Sequence, residues 1–193
     1  MQSLKRLLAD VRACKLCTDH LPLGVRPILQ LLPSATLLVA GQAPGRKAHE
    51  SGVPFDDASG DRLRQWLGMS RDVFYDASRV AILPMGFCYP GTGKSGDNPP
   101  RPECAPAWRS NLLQHLTKIR LTLVIGQYAL RYHLPGYSEN TLTDAVRDWR
   151  NHWPEVLSLP HPSPRNNLWL KRNPWFEKEV LPELRVKVGE IVR

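Results

Sequence analysis

The sequence has no apolar run approaching the roughly 20 residues that a membrane-spanning helix requires. Its longest such stretches, of the kind Thr36-Leu-Leu-Val-Ala-Gly41, are far shorter. No membrane partner is expected. The N-terminal stretch alternates charged residues with leucines and lacks the continuous apolar core of a secretory signal, so a cytoplasmic location is expected. There is no internal repeat and no low-complexity linker. A hydrophobic share of 42% and a charged share of 23% exclude a disordered, collagen-like or coiled-coil chain. Acidic residues are also scarce: 18 Asp and Glu stand against 26 Lys and Arg, a net charge of +8. Such an imbalance attracts polyanions, of which nucleic acid is the commonest.

What remains is a chain of 193 residues, the size of one domain, taken here as a single unit over 1–193. Leucines at 4, 7 and 8 with Val11 have helical spacing. Short apolar runs at 36–40, 79–83, 121–125 and 155–159 read as buried strands. Between and after them, 59–67, 103–118, 127–133, 141–149 and the region from Leu168 read as helices, the last with breaks at Pro174 and Pro182. Apolar strands alternating with helices predict a three-layer α/β/α fold around a mainly parallel four-stranded sheet. Ligands of such sheets bind at the carboxyl ends of the strands. The loops 41–45 and 161–166 would meet there.

The four cysteines form one pattern: Cys14-x2-Cys17, then Cys88, then Cys104. A redox pair is disfavoured because Cys14 and Cys17 follow a helix rather than a strand. The second pair is too widely spaced for a zinc knuckle, while iron–sulfur clusters take four thiolates at looser spacing. An iron–sulfur cluster ranks first, zinc second, and four separate buried thiols third.

Gly41-Gln-Ala-Pro-Gly45, Gly52-Val-Pro-Phe55, His161-Pro-Ser163 and the four cysteines, in this order, resemble the uracil-DNA glycosylase superfamily, most closely its iron–sulfur branch. The run His161-Pro-Ser-Pro-Arg-Asn166 resembles the second motif of the single-strand-selective members. The resemblance spans about residues 4 to 175. It implies a DNA partner, base excision by hydrolysis of an N-glycosidic bond, and a 4Fe–4S cluster on Cys14, Cys17, Cys88 and Cys104; a monomer is expected, because the basic faces and a DNA groove need no second subunit. It places Phe55 as the face on which an extruded base stacks, with Gln42 and Ala43 beside the base. It makes His161 the donor to the leaving base and Ser163 part of a phosphate clamp. Arg165, Lys171 and Arg172 would contact backbone phosphates. His49, His115, His133 and His152 are read as ordinary core or surface residues.

Two positions depart from that branch. Gln42 stands where it carries Glu, and Pro84 where it carries an Asn that reads the uracil edge. Glutamine cannot accept a proton or balance a cation. Asp57, in Asp57-Ala-Ser-Gly60, matches an acid used by another branch, and otherwise reads as a helix cap. The segment 89–98 has no His, so the chemistry of the covalent-trapping members is not expected; its glycines and Lys94 suggest a mobile loop near DNA. The competing expectations are a glycosylase acting on uracil or another deaminated base, a non-catalytic nucleic-acid-binding protein with the same fold and cluster, and, from the cysteines alone, an iron–sulfur electron carrier or redox sensor, which has no use for His161-Pro-Ser-Pro164.

Overall fold

The structure, a computed structural model, describes residues 2–94, 96–137 and 141–192. Helix α1 (Leu4–Arg12) starts at Ser3, whose hydroxyl accepts the Arg6 N–H. Strand β1 (Leu37–Ala40) leads through the Gly41–Gly45 loop into α2 (Arg46–Ser51) and α3 (Ala58–Leu67). A short α4 (Arg71–Phe74) precedes β2 (Val80–Ile82). A hairpin of β3 (Thr92–Gly93) and β4 (Gly96–Asp97) follows, then a wide π turn, Ala105–Arg109, running into α5 (Ser110–Leu113). The second half alternates β5 (Leu121–Ile125), α6 (Gln127–His133), α7 (Leu142–Arg147) and β6 (Val156–Leu159). It closes with α8 (Asn167–Arg172), a π turn over Phe176–Val180, and α9 (Leu181–Ile191).

The central sheet has the order β2-β1-β5-β6 and every pairing is parallel. It is the predicted four-stranded sheet in an α/β fold. Successive side chains of a strand face opposite ways. Leu37 and Val39 accordingly join Leu121, Leu123, Leu157 and Leu159 under α3 and α9. Leu38 turns to the other face with Ala81 and Leu83, against Leu7 and Val11 of α1 and Leu112 of α5, while Ala40 and Val124 meet α6. Both faces are covered, which is why these strands read as unbroken apolar runs rather than alternating ones.

Three expectations are corrected. The helix expected over 103–118 ends at Leu113, because the next turns tighten: the Leu116 N–H bonds to the Leu113 carbonyl. Leu116 is still buried in that layer. Pro182 does not end the helical run; it sits in the first turn of α9, directly after the π turn Phe176–Val180, with Val180 and Leu181 both in helical backbone. Thr92–Gly93 and Gly96–Asp97, expected within a loop, pair antiparallel, closed by the Asn98 N–H to the Gly91 carbonyl at 2.8 Å.

Candidate active site and cysteine cavity

At the carboxyl ends of β1, β2 and β6 lies a cleft of about 510 Å³. Gln42, Ala43, Phe55, Asp57, His161, Ser163 and Arg165 all line it, although they come from three distant segments. Lys171 and Arg172 do not; they are exposed on the last turn of α8.

The 161–166 loop follows β6 and is fixed by its own polar groups. Asn166 donates to the His161 carbonyl at 2.7 Å, and Arg62 of α3 donates to the Ser163 carbonyl at 3.1 Å. His161 Nδ1 accepts the Ser163 N–H at 3.2 Å. A neutral imidazole accepting at Nδ1 carries its proton on Nε2. Burial pushes the His161 pKa below its usual value, opposed by the charges of Asp57 and Asp97. The ring is thus held neutral, with Nε2–H as its donor. The Ser163 oxygen accepts the Arg165 N–H at 3.2 Å, leaving the hydroxyl proton to donate elsewhere.

Phe55 follows Pro54 at the entrance to α3, and its ring rests against Gly41. A methyl group on Gly41 would stand 3.5 Å from the ring edge, ordinary contact. Asp57 serves as helix cap and as cleft wall: Oδ1 accepts the Gly60 N–H at 2.9 Å, while Oδ2 turns toward Gly45. Gln42 spends its amide N–H on the Asn98 carbonyl, at 2.9 Å. Pro84 closes the cleft floor and its carbonyl receives Arg109 at 2.9 Å.

Asp97 also lines the cleft and was missed by the sequence reading, since no motif contains it. The only hint is its place after the glycines of 91–96. Among the histidines assigned ordinary roles, His49 is buried beside Tyr89, and His133 accepts from the buried Arg109 at 2.6 Å.

The four cysteines line a second cavity, walled by Val11, Leu21, Phe87 and Trp108. Cys14 and Cys17 follow α1, Cys88 follows β2, and Cys104 precedes the π turn. All four are free thiols. Burial pushes Cys88 up to about 11 and Cys104 to about 12. The Phe87 N–H points at Cys104 Sγ, at 3.4 Å. Among the described residues, no group of three or more His, Cys, Asp or Glu is arranged to hold a metal ion. Two residues of the cavity wall, Arg101 and Trp108, have buried side-chain N–H groups (Nε and Nε1) without a partner in the protein.

A type-4 uracil-DNA glycosylase from Sulfurisphaera tokodaii is 27% identical over 206 aligned positions, spanning 99% of this chain and 86% of that protein. An NMR structure of a candidate uracil DNA glycosylase from Methanosarcina acetivorans shares 18% identity, covering 83% of this chain and 98% of that one with a TM-score of 0.49. Residues 30–185 match the model of the uracil DNA glycosylase superfamily, a span that contains all the cleft residues named above. The chain belongs to the uracil DNA glycosylase superfamily, within which it resembles the type-4 enzymes.

Proposed function

We propose that this protein is a DNA glycosylase that hydrolyses the N-glycosidic bond of uracil or another deaminated base, after turning the nucleotide out of its stack into the cleft. One observation carries the reading: an aromatic face (Phe55), a neutral imidazole donor (His161) and a carboxylate (Asp57) line a single cleft at the strand ends. A flipped base is held by stacking and edge contacts in a closed pocket. Phe55 supplies the stack. As the C1′–N bond breaks, the base becomes anionic and the sugar cationic. His161 Nε2–H donates to the base oxygen, where charge develops. Asp57 Oδ2 balances the sugar cation. Gln42 keeps an acceptor oxygen for water or for the base, with the Ala43 backbone beside it. Ser163 and Arg165 hold backbone phosphates, with Lys171 and Arg172 extending the basic track along α8.

Pro84 cannot read a base edge, since it has no polar side chain and its carbonyl already receives Arg109. Choice among deaminated bases therefore falls to Gln42 and the local backbone. The deciding assay presents uracil, hypoxanthine and xanthine in single- and double-stranded oligonucleotides at enzyme excess. Release of at least one base is expected. Binding without release from any of them would make the protein a non-catalytic nucleic-acid-binding member of the superfamily. Asp57→Asn is a clean probe, because asparagine caps a helix as well as aspartate does. It should slow release about 10²–10⁴-fold with the fold intact; an unchanged rate removes Asp57 from the chemistry.

The cysteine cavity suits a 4Fe–4S cluster bound by Cys14, Cys17, Cys88 and Cys104. Four thiols around one space supply the four thiolates that such a cluster takes. The unpartnered N–H groups of Arg101 and Trp108 suit a group with sulfur acceptors. When bound, the cluster ties α1 to the loop after β2. Anaerobically purified protein should contain about four iron and four sulfide per chain, and one zinc instead would overturn the assignment.

A further inference from the structure

The β3–β4 hairpin reaches into the cleft and is fastened there. Beyond its own pairing, Asn98 Nδ2 donates to the Pro90 carbonyl at 3.2 Å, and Gln42 Nε2 donates to the Asn98 carbonyl at 2.9 Å. The second bond crosses from the loop after β1 to the residue next to Asp97. Only a donor at position 42 can make it. An ionised glutamate would set one acceptor against another and push the hairpin away. Asp97 itself lines the cleft. A methyl group built on Gly45 would stand 3.3 Å from Asp97 Oδ2 and 3.8 Å from Asp57 Oδ2, so the two carboxylates converge over one backbone position that has no side chain. Both carboxylates are close enough to act electrostatically on His161.

Resting on the glycosylase reading, we propose that Asp97 is a further catalytic residue, supplying the carboxylate that position 42 lacks, and that Gln42 is the positioning residue that holds it in the cleft. The two acids differ in constraint. Asp57 has one oxygen fixed on the Gly60 N–H, which keeps it in place as a charge. Asp97 is exposed, and among the described residues its carboxylate's only hydrogen bond is a long 3.5 Å approach from the Thr92 hydroxyl, so it is the better placed to take a proton. In the reaction, a water oxygen forms its bond to C1′ as the C1′–N bond breaks. The electron pair of that bond leaves with the base. The proton lost by the water passes to Asp97 and returns through solvent to the released base. An amide at position 42 and an acid at position 97 thus form one device, in which the charge sits on the hairpin instead of on the loop after β1.

The test measures single-turnover release of whichever deaminated base the wild type excises, with binding to an oligonucleotide carrying a non-cleavable 2′-fluoro analogue measured in parallel. The variants are Asp97→Asn, Gln42→Met (similar in shape, without a donor), their double mutant, and Asp72→Asn as a surface-charge control. Asp97→Asn should slow release about 10²–10⁴-fold, the range for a general base, with binding and melting temperature nearly unchanged. Gln42→Met should slow release by a smaller factor, and should add less than that factor in the Asp97→Asn background, since the part that runs through the hairpin acts on the same carboxylate and only Gln42's own contact with the base or water remains to be lost. An active wild type with an equally fast Asp97→Asn overturns this inference and leaves the glycosylase reading standing. Full multiplication of the two effects overturns the role of Gln42. A wild type that releases no base overturns both the inference and the reading on which it rests.

Discussion

Phe55 is the only non-glycine among the described residues with a positive φ, at 55°. That left-handed backbone costs about 1–2 kcal/mol for an L-residue, so something must hold it. Its carbonyl receives the Tyr75 hydroxyl at 3.1 Å and the Arg64 guanidinium at 3.4 Å. Burial pushes the Tyr75 pKa up, which keeps the phenol protonated as the donor. Gly60 completes the arrangement, because any Cβ there would collide with the Phe55 carbonyl. The proposed stacking face is thus set by a strained residue gripped from α3 and from the end of α4. Tyr75→Phe removes one donor and should lower the unfolding free energy by about 1 kcal/mol, with base release slowed several-fold as the ring loosens. Urea melts and single-turnover rates check it; wild-type values for both would show that Arg64 alone holds the ring. In the sequence, Phe55 was visible through its motif. The strain at Phe55 and the need for glycine at 60 were not, because both arise from contacts between residues that no periodicity links.

At the scale of elements, the four strands and α1, α3 and α6 were legible because apolar runs and helical spacing are local properties. The hairpin was not, since its four paired residues carry no alternating apolar pattern and its stability comes from Asn98 and Gln42. Nor was the device joining the π turn to α6. Arg109 is fully buried, donates to the carbonyls of Leu83 and Pro84 at 2.6 and 2.9 Å, and places its other nitrogen on His133. It fixes the end of β2, and with it the cleft floor. A helix pattern shows such an arginine only as an interruption of the apolar face. Burial and the neighbouring Arg109 hold the His133 pKa at about 3, against the usual 6.5. Between those values the unfolded chain binds a proton that the native chain refuses, so stability falls as pH drops below about 6.5, by up to about 1.4 kcal/mol per pH unit. His161, also depressed by burial, adds to the same window. His133→Gln keeps an acceptor for Arg109 but cannot titrate. Its urea-unfolding free energy should therefore depend less steeply on pH below 6.5, approaching one proton less. A slope equal to the wild type would mean that His133 is protonated in the native chain.

For the whole molecule, architecture and site location followed from one physical regularity. Ligand sites of parallel sheets covered on both faces form outside the carboxyl ends of the strands, and there the loops after β1 and β6 meet. Charge is the other whole-molecule property, and its effect on binding separates from the chemistry. A net charge of +8 draws the protein to any nucleic acid without regard to sequence. Among the cleft-lining residues, Arg165 is the exposed cation, and its guanidinium lies over Gly96 of the hairpin. If it neutralises one phosphate, Arg165→Ala should flatten the dependence of log affinity on log salt by about 0.7 on single strands and 0.9 on duplex. Affinity should drop alike for DNA with and without a deaminated base, because a phosphate contact carries no sequence information. Titrations on undamaged oligonucleotides across a salt series isolate this term from excision. A flattening confined to damaged DNA would place Arg165 on the flipped nucleotide rather than on the backbone. An unchanged slope on both would return the positive charge at the cleft mouth to the surface at large.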